Sequence, residues 1–186
     1  MIILNQDQKE AYDKILNFIN NPIEKTFMLT GSAGTGKTTL ITEIIKNTTL
    51  LKKKIALCAT TNKAVSVMQN MYNIDNKNVS FSTIHKILKI KRVIDSDGIE
   101  SFIVSLDDHA AGKYKTKSIS YYDIVVIDEA SMISKDLFDE LSKLLSRIKG
   151  KIIFIGDNFQ LPPINEVKSK VFTNTNLSFT LKKIER

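Results

Sequence analysis

A glycine-rich segment between an apolar run and a helical pattern constrains the fold of this chain more than any other feature. Residues 31–38 read Gly-Ser-Ala-Gly-Thr-Gly-Lys-Thr and fit the pattern G-x-x-x-x-G-K-[ST]. An apolar run at 27–29 precedes them, and apolar residues recur with helical spacing within 40–45. A strand, a glycine-rich loop and a helix in this order form a phosphate-binding P-loop. The segment therefore predicts an α/β fold, with a parallel sheet flanked by helices.

Phosphate chemistry explains the residue types in this loop. Its glycines permit positive φ angles and a close approach of the backbone to a phosphate. Consecutive N–H groups and the N-terminus of the following helix then attract the anion. The Lys37 ammonium can reach the β- and γ-phosphates, and the Thr38 hydroxyl can bind Mg²⁺. A glycine-rich turn without a ligand is the alternative. The predicted phosphate-contacting residues are Gly31, Ser32, Ala33, Gly34, Thr35, Gly36, Lys37 and Thr38.

Composition limits the remaining possibilities. A length of 186 residues suits one domain, or one domain with a small insertion. A net charge of +7 favours a polyanionic partner, although lysine-rich surfaces also keep proteins soluble. The single cysteine, Cys58, rules out an internal disulfide and is expected in the core. The longest apolar runs fall short of the ~20 residues that span a bilayer. We therefore expect an intracellular protein without a membrane partner.

Two further apolar runs end in polar segments. Residues 124–127 read Ile-Val-Val-Ile and lead into Asp128 and Glu129, and residues 152–155 lead into a segment that contains Gln160. The carboxyl ends of parallel strands meet at one edge of a sheet, where ligands bind. Asp128 is expected to hold Mg²⁺ through water, Glu129 to polarise the attacking water, and Gln160 to contact the γ-phosphate or that water. A solvated acidic turn and a rigid proline turn are the alternatives.

Gln8 and a polar turn at 60–64 are further ligand candidates. Gln8 lies in the first turn of a helix predicted over 5–20, and an amide can donate and accept as the edge of adenine requires. An exposed surface glutamine is the alternative. The polar turn follows a predicted strand and opens a helix that Asn62 is a candidate to cap.

A short helix is predicted to open near Thr83 and His85. His85 has no cysteine or histidine at metal-ligand spacing, so no zinc site is expected. Lys86 begins a lysine-rich strip suited to phosphates. Farther on, the sequence predicts a helix over 167–172 and a final strand over 179–184.

Residues 90–121 interrupt the alternation of strands and helices. Two apolar segments flank Asp97 and Gly98, a dipeptide that favours a two-residue hairpin turn. The segment 113–117 is basic, with a tyrosine between its first two lysines. The sequence therefore predicts a small β-hairpin insertion.

In their order along residues 4–186, these motifs resemble the first motor domain of superfamily 1B DNA helicases of the Dda, RecD2 and Pif1 type. The corresponding motifs are Q at Gln8, I at 31–39, Ia at 59–64, Ib at 82–85, II at 128–131, III at 156–163 and the start of IV at 181–186. The resemblance implies a RecA-like P-loop domain 1A formed by 1–89 and 122–186. It also implies a 1B pin at 90–121 that splits the duplex, with Phe102 as a candidate at its tip.

The same resemblance implies the ligands and partners of the chain. ATP and Mg²⁺ would bind at motif I, which adds Thr39 to the nucleotide-contacting residues, and Arg186 would approach the γ-phosphate. Single-stranded DNA would contact motifs Ia and Ib through Thr61, Asn62, Lys63, Thr83, His85 and Lys86. A second RecA-like domain would complete the ATP site. The expected location is the cytoplasm of a bacterium or of a phage- or virus-infected cell, or a nucleus, with a role in DNA replication or repair.

Two features depart from the family pattern. Thr60 stands where motif Ia usually has proline, and motifs V and VI are absent from this sequence. A second domain supplies an arginine that is worth ~10³-fold or more in rate. We therefore expect the chain alone to bind nucleotide weakly, to hydrolyse it poorly and not to translocate. The alternatives are a P-loop ATPase of another kind, such as a loader or kinase, and a non-catalytic nucleic-acid-binding module.

Overall fold

A computed structural model describes residues 3–50, 52–94, 100–104 and 117–184, with the side chains of 49, 50, 91–94 and 100–104 outside the description. Six strands form a parallel sheet in the order β3-β2-β6-β7-β1-β8. They are β1 (Thr26–Gly31), β2 (Ile55–Ala59), β3 (Val79–Thr83), β6 (Ile124–Ile127), β7 (Lys151–Gly156) and β8 (Leu177–Leu181). The predicted parallel α/β sheet is therefore confirmed.

Helices cover both faces of this sheet. They are α1 (Gln6–Asn20), α2 (Lys37–Leu50), α3 (Asn62–Tyr72), α4 (Ile84–Ile87), α5 (Lys135–Leu145) and α6 (Val171–Asn174). One buried cluster joins α1, α2 and α3 to the sheet and includes Ile15, Ile41 and Leu57. A second, on the other face, includes Ile84, Leu141 and Phe154. Burial on both faces explains why the central strands read as continuous apolar runs.

Two strands stand apart from the main sheet. Strands β4 (Ile90–Ile94) and β5 (Glu100–Val104) pair antiparallel and form a separate two-stranded sheet. The predicted hairpin pairing is therefore confirmed, whereas the predicted turn at Asp97 and Gly98 and the basic segment 113–116 lie outside the described residues. The division into domains 1A and 1B stays a prediction. Among the described residues, no helix is long and apolar enough to cross a membrane.

Three local predictions are corrected. The helix predicted over 167–172 is wrong, since helix α6 begins only at Val171 and Val167 is 98% exposed. The last strand ends at Leu181 rather than 184, because Leu181 pairs with Gly31, the final residue of β1. The cap of α3 is not Asn62 but the preceding residue, Thr61, whose side chain accepts a hydrogen bond from the Ala64 N–H.

Candidate nucleotide site at the carboxyl edge of the sheet

Three neighbouring strands bring the predicted site together. Strands β6, β7 and β1 lie side by side, and each ends at the same edge of the sheet. Asp128 follows β6, Asp157 follows β7, and the P-loop follows β1. Because all three strands are parallel, segments that are far apart in sequence meet at one edge.

The P-loop backbone adopts the form that its glycines predict. Gly34 and Gly36 have φ angles of 80° and 78°, a region that favours glycine. At Gly31 a Cβ atom would lie 2.6 Å from the Thr35 Oγ1 and 3.0 Å from the Leu181 carbonyl oxygen. The Thr35 hydroxyl donates to the Ser32 carbonyl at 2.9 Å. The loop therefore has a backbone form that favours glycine at these three positions.

Lys37 lies across the mouth of this cradle. Its Nζ donates to the carbonyl oxygens of Gly31, at 2.5 Å, and Ser32, at 2.9 Å. Burial lowers the pKa of Lys37, while the nearby carboxylates of Asp157 and Asp128 oppose that shift. The ammonium group is thus positioned between the loop and two carboxylates, where it can receive phosphate oxygens.

Asp128 and Glu129 form the acidic side of the site. Burial raises the pKa of Asp128. Two groups partly offset this shift: the Glu129 N–H, which donates to Asp128 Oδ1 at 2.8 Å, and the positive charge of Lys37. Partial burial, and then the Asp128 charge, raise the pKa of the exposed Glu129. The backbone of Glu129 is left-handed, with a φ of 53°. Non-glycine residues in this region are uncommon and cluster at functional sites.

Gln160 is joined to the acidic segment. The Ser131 hydroxyl donates to Gln160 Oε1 at 3.4 Å, and Ser131 is buried. Asp157 is also buried, and its Oδ1 accepts from the Phe159 N–H at 3.0 Å. The segments after β6 and β7 are therefore coupled directly by side chains.

Gln8 contacts the P-loop from helix α1. It is 3% exposed, its Oε1 accepts from the Asn5 N–H at 3.0 Å, and its Nε2 donates to the Thr35 carbonyl at 3.3 Å. The interpretation of Gln8 as an exposed surface residue is therefore wrong. Its predicted contact with adenine stays a prediction, and both ends of its amide also hold the backbone.

Asp7, the neighbour of Gln8, binds the segment that follows strand β8. Its Oδ2 accepts from the Lys182 N–H at 2.6 Å and from the Lys183 N–H at 3.3 Å, just after β8. One turn of α1 thus contacts both the P-loop and the segment that leaves the sheet. Arg186 and the side chain of Phe102 lie outside the described part of the chain. Their predicted roles stay predictions.

The residues predicted to bind nucleic acid lie on two adjacent helix starts. The Lys86 Nζ donates to Asn62 Oδ1 at 3.1 Å, so the segments after β2 and β3 touch. Lys63 is exposed, whereas Thr83 is buried and caps helix α4 by accepting from the Lys86 N–H at 3.3 Å. Burial lowers the pKa of His85, which favours its neutral form. Asn62, Lys63 and Lys86 are exposed, as is Thr61, whose hydroxyl caps α3.

Sequence reasoning assigned no role to four residues that the structure places at or near the site. They are Asp7, Tyr72, Ser131 and Asp157. Burial raises the pKa of Tyr72, and Asp128 adds to that shift. Only Asp157 and Ser131 carried a sequence signal, since each falls within a motif-like segment after an apolar run. Among the described residues, no group of three or more histidine, cysteine or acidic side chains forms a metal cluster.

Known proteins resemble this chain in sequence. Residues 15–166 match the family described as AAA domain. An uncharacterised protein of Acanthamoeba polyphaga mimivirus is 37% identical over 92% of this chain and 36% of its own length. The RecBCD enzyme subunit RecD of Buchnera aphidicola is 36% identical over 81% of this chain and 24% of its own length. The ATP-dependent DNA helicase Pif1 of Campylobacter jejuni is 30% identical over 92% of this chain and 35% of its own length. The chain thus spans between a quarter and about a third of these relatives.

A solved structure resembles the fold over the whole chain. The crystal structure of Pif1 helicase from Candida albicans has a TM-score of 0.61 and 22% identity, over 100% of this chain and 41% of that one. The predicted resemblance to superfamily 1B helicases and the predicted RecA-like sheet are therefore confirmed. With the family match covering residues 15–166 of 186, this chain belongs to the AAA domain family, and its fold is that of the corresponding part of the Pif1 helicase structure.

Proposed function

We propose that this chain is the ATP-binding motor domain of a 5′→3′ DNA helicase. It would hydrolyse ATP in response to DNA and unwind a duplex when joined to a second RecA-like domain. The observation that carries the proposal is the position of Lys37, which lies on the P-loop carbonyls and faces Asp128 and Asp157. The relatives include an ATP-dependent DNA helicase of the Pif1 type, which supports the proposal.

ATP would be held mainly by the backbone of the P-loop. Its N–H groups would cradle the phosphates, and the Lys37 ammonium would exchange loop carbonyls for phosphate oxygens. Mg²⁺ would supply positive charge between the phosphates when bound. The Thr38 hydroxyl and the Asp128 carboxylate fit it, because they are hard oxygen ligands. Gln8 would set the position of the loop and, in the proposed role, contact adenine.

Glu129 would orient the attacking water and accept its proton. It is exposed at the sheet edge, and its raised pKa makes the carboxylate a better base than an ordinary glutamate. Gln160 would sense the γ-phosphate. Its hydrogen bond with Ser131 gives it a direct connection to the acidic segment.

DNA would bind beside this site, along the starts of α3 and α4. Asn62, Lys63 and Lys86 would contact phosphates of the single strand, and the Asn62–Lys86 hydrogen bond keeps the two segments in register. Because both helices follow strands of the same sheet, a change at the ATP site can reach the DNA contacts through the sheet edge.

Two substitutions test the assignment of the ATP site. Lys37→Ala should abolish binding of a fluorescent ATP analogue, whereas Glu129→Gln should keep the binding and lose hydrolysis. Hydrolysis is measured under single-turnover conditions with the protein in excess over labelled ATP, so that slow cleavage is seen. Unchanged cleavage in Glu129→Gln would exclude Glu129 as the base.

Single-stranded DNA distinguishes the alternatives. A helicase motor should bind the ATP analogue with an affinity that changes when a single-stranded oligonucleotide is added. A kinase would ignore the oligonucleotide. A non-catalytic nucleic-acid-binding module would bind the oligonucleotide with no response to nucleotide.

A further inference from the structure

A second basic site lies away from the nucleotide edge, beside the edge strand β3. It is a cavity of about 350 Å³, a size at the lower end of the range for ligand pockets. Lys54, Lys77 and Lys117 supply its charge, and Ser82, Tyr121 and Tyr122 form part of its wall. We call these six residues the lysine pocket. None of them is among the residues assigned above to ATP or to single-stranded DNA.

Within the part of the chain that the structure describes, the three lysines have no carboxylate partner. The ion pairs found among the described residues involve none of them. Asp123, which follows Tyr122 of the pocket wall, accepts at Oδ2 from the backbone N–H of Lys54 at 2.8 Å. Three unpaired positive charges around one cavity attract a polyanion.

Two walls of the pocket are rigid. Tyr122 is 4% exposed and shares a side-chain hydrogen bond with Ser80, a neighbour on β3. Ser82 is 6% exposed, and its Oγ has no hydrogen-bond partner within the described ranges. A buried hydroxyl without a partner costs free energy unless a ligand or water satisfies it. Within the described ranges, the Ser82 hydroxyl is therefore an unused hydrogen-bond donor in the pocket wall.

The aromatic ring of the pocket points to phosphates rather than to bases. The Lys54 Nζ lies 4.2 Å, and the Lys117 Nζ 5.3 Å, from the centroid of the Tyr121 ring. Proteins that hold single strands stack bases on such rings. Here the ring positions two ammonium groups, so the pocket suits backbone contacts, which dominate binding to a duplex.

The pocket also lies at the foot of the insertion. Strand β3 leads through α4 into the β4–β5 hairpin, and the chain returns from it at Lys117 to reach β6. In the helicase function proposed above, this hairpin would be the element that splits the duplex, and it would need the unopened duplex beside its base. We propose that the lysine pocket binds the phosphate backbone of duplex DNA ahead of the hairpin. The choice of a duplex rests on the proposed helicase function.

Salt dependence of duplex binding tests this proposal. The variant Lys54→Gln, Lys77→Gln, Lys117→Gln is compared with Lys14→Gln, Lys46→Gln, Lys143→Gln, which loses the same charge from three helices away from the pocket. Affinities for a 20-base-pair duplex and for a 20-nucleotide single strand are measured by fluorescence anisotropy between 50 and 200 mM salt. Circular dichroism confirms that both variants are folded.

The slope of log affinity against log salt should fall in magnitude by about 2.7 in the pocket variant, at roughly 0.9 for each of three lost phosphate contacts. When salt rises from 50 to 200 mM, the affinity for the duplex would then fall about 40 times further in the wild type than in the variant. Binding of the single strand, and of the ATP analogue, should not change beyond the effect in the control variant.

Two results would overturn the proposal. One is an equal loss for duplex and single strand, which would indicate general electrostatics. The other is a duplex slope that matches the control variant. Failure of the proposed helicase function is seen separately, because it would appear in the wild-type protein as no response of ATP-analogue binding to DNA.

Discussion

Replacement of Gln8 by methionine would isolate the structural role of its amide. Methionine is similar to glutamine in length but cannot form either side-chain hydrogen bond. The change removes the contact of Gln8 Oε1 with the Asn5 N–H and that of Nε2 with the Thr35 carbonyl. The Asn5 side chain still caps the helix, since its Oδ1 accepts from the backbone N–H of Gln8 at 2.8 Å.

The expected loss of stability follows from these two contacts. A neutral hydrogen bond contributes about 1 kcal/mol net, and an unsatisfied buried partner costs about 1–3 kcal/mol. The contact with Thr35 is long, at 3.3 Å, but Thr35 is 1% exposed and water cannot readily replace the lost donor. We therefore expect a loss of about 2 kcal/mol, which corresponds to a fall in Tm of roughly 4–8 °C for a domain of this size.

Urea denaturation followed by circular dichroism measures this loss. The matched control is Gln6→Met, the same substitution two positions earlier on the same helix, where the side chain is exposed. The control should change stability by no more than about 0.5 kcal/mol. Equal effects of the two substitutions would refute the argument that Gln8 holds the P-loop to α1.

Two further predictions concern the acidic edge. Ser131→Ala removes a hydrogen bond worth about 1 kcal/mol. It should therefore reduce the effect of single-stranded DNA on ATP-analogue affinity by about fivefold, while the free energy of unfolding changes by no more than about 1 kcal/mol. An undiminished DNA effect would show that Gln160 does not act through Ser131. Burial raises the pKa of Asp128 in the folded state above its value in the unfolded chain. The ionised carboxylate therefore destabilises the fold above the folded-state pKa, and this destabilisation disappears as pH falls to the pKa of the unfolded chain. Asp128→Asn should therefore stabilise the fold at pH 7 to 8, with a gain that shrinks toward pH 4 in urea denaturation; a gain independent of pH would contradict this.

The sequence was sufficient where local patterns and buried strands coincide. The runs at 124–127 and 152–155 could be read as central strands because each is apolar on both faces. The P-loop was predictable because its glycines are needed by the backbone, as the φ angles of Gly34 and Gly36 show. Together these features predict, from the sequence alone, that Asp128 and the P-loop lie at one edge of the sheet.

Side-chain contacts between distant segments were less predictable. The contact between Gln8 and Thr35 joins residues 27 positions apart, and that between Ser131 and Gln160 joins residues 29 apart. Neither leaves a periodic pattern in the sequence. The false helix over 167–172 arose because apolar spacing there is compatible with a helix, although Val167 projects into solvent.

Titration of a fluorescent ATP analogue into the wild-type protein and the Lys37→Ala variant tests the central claim most directly. The account predicts saturable binding that requires Mg²⁺ in the wild type and is lost in the variant, while circular dichroism shows both to be folded. Equal binding by the two proteins would contradict it, because the ammonium that lies between the P-loop carbonyls and the two aspartates would then have no part in holding the nucleotide.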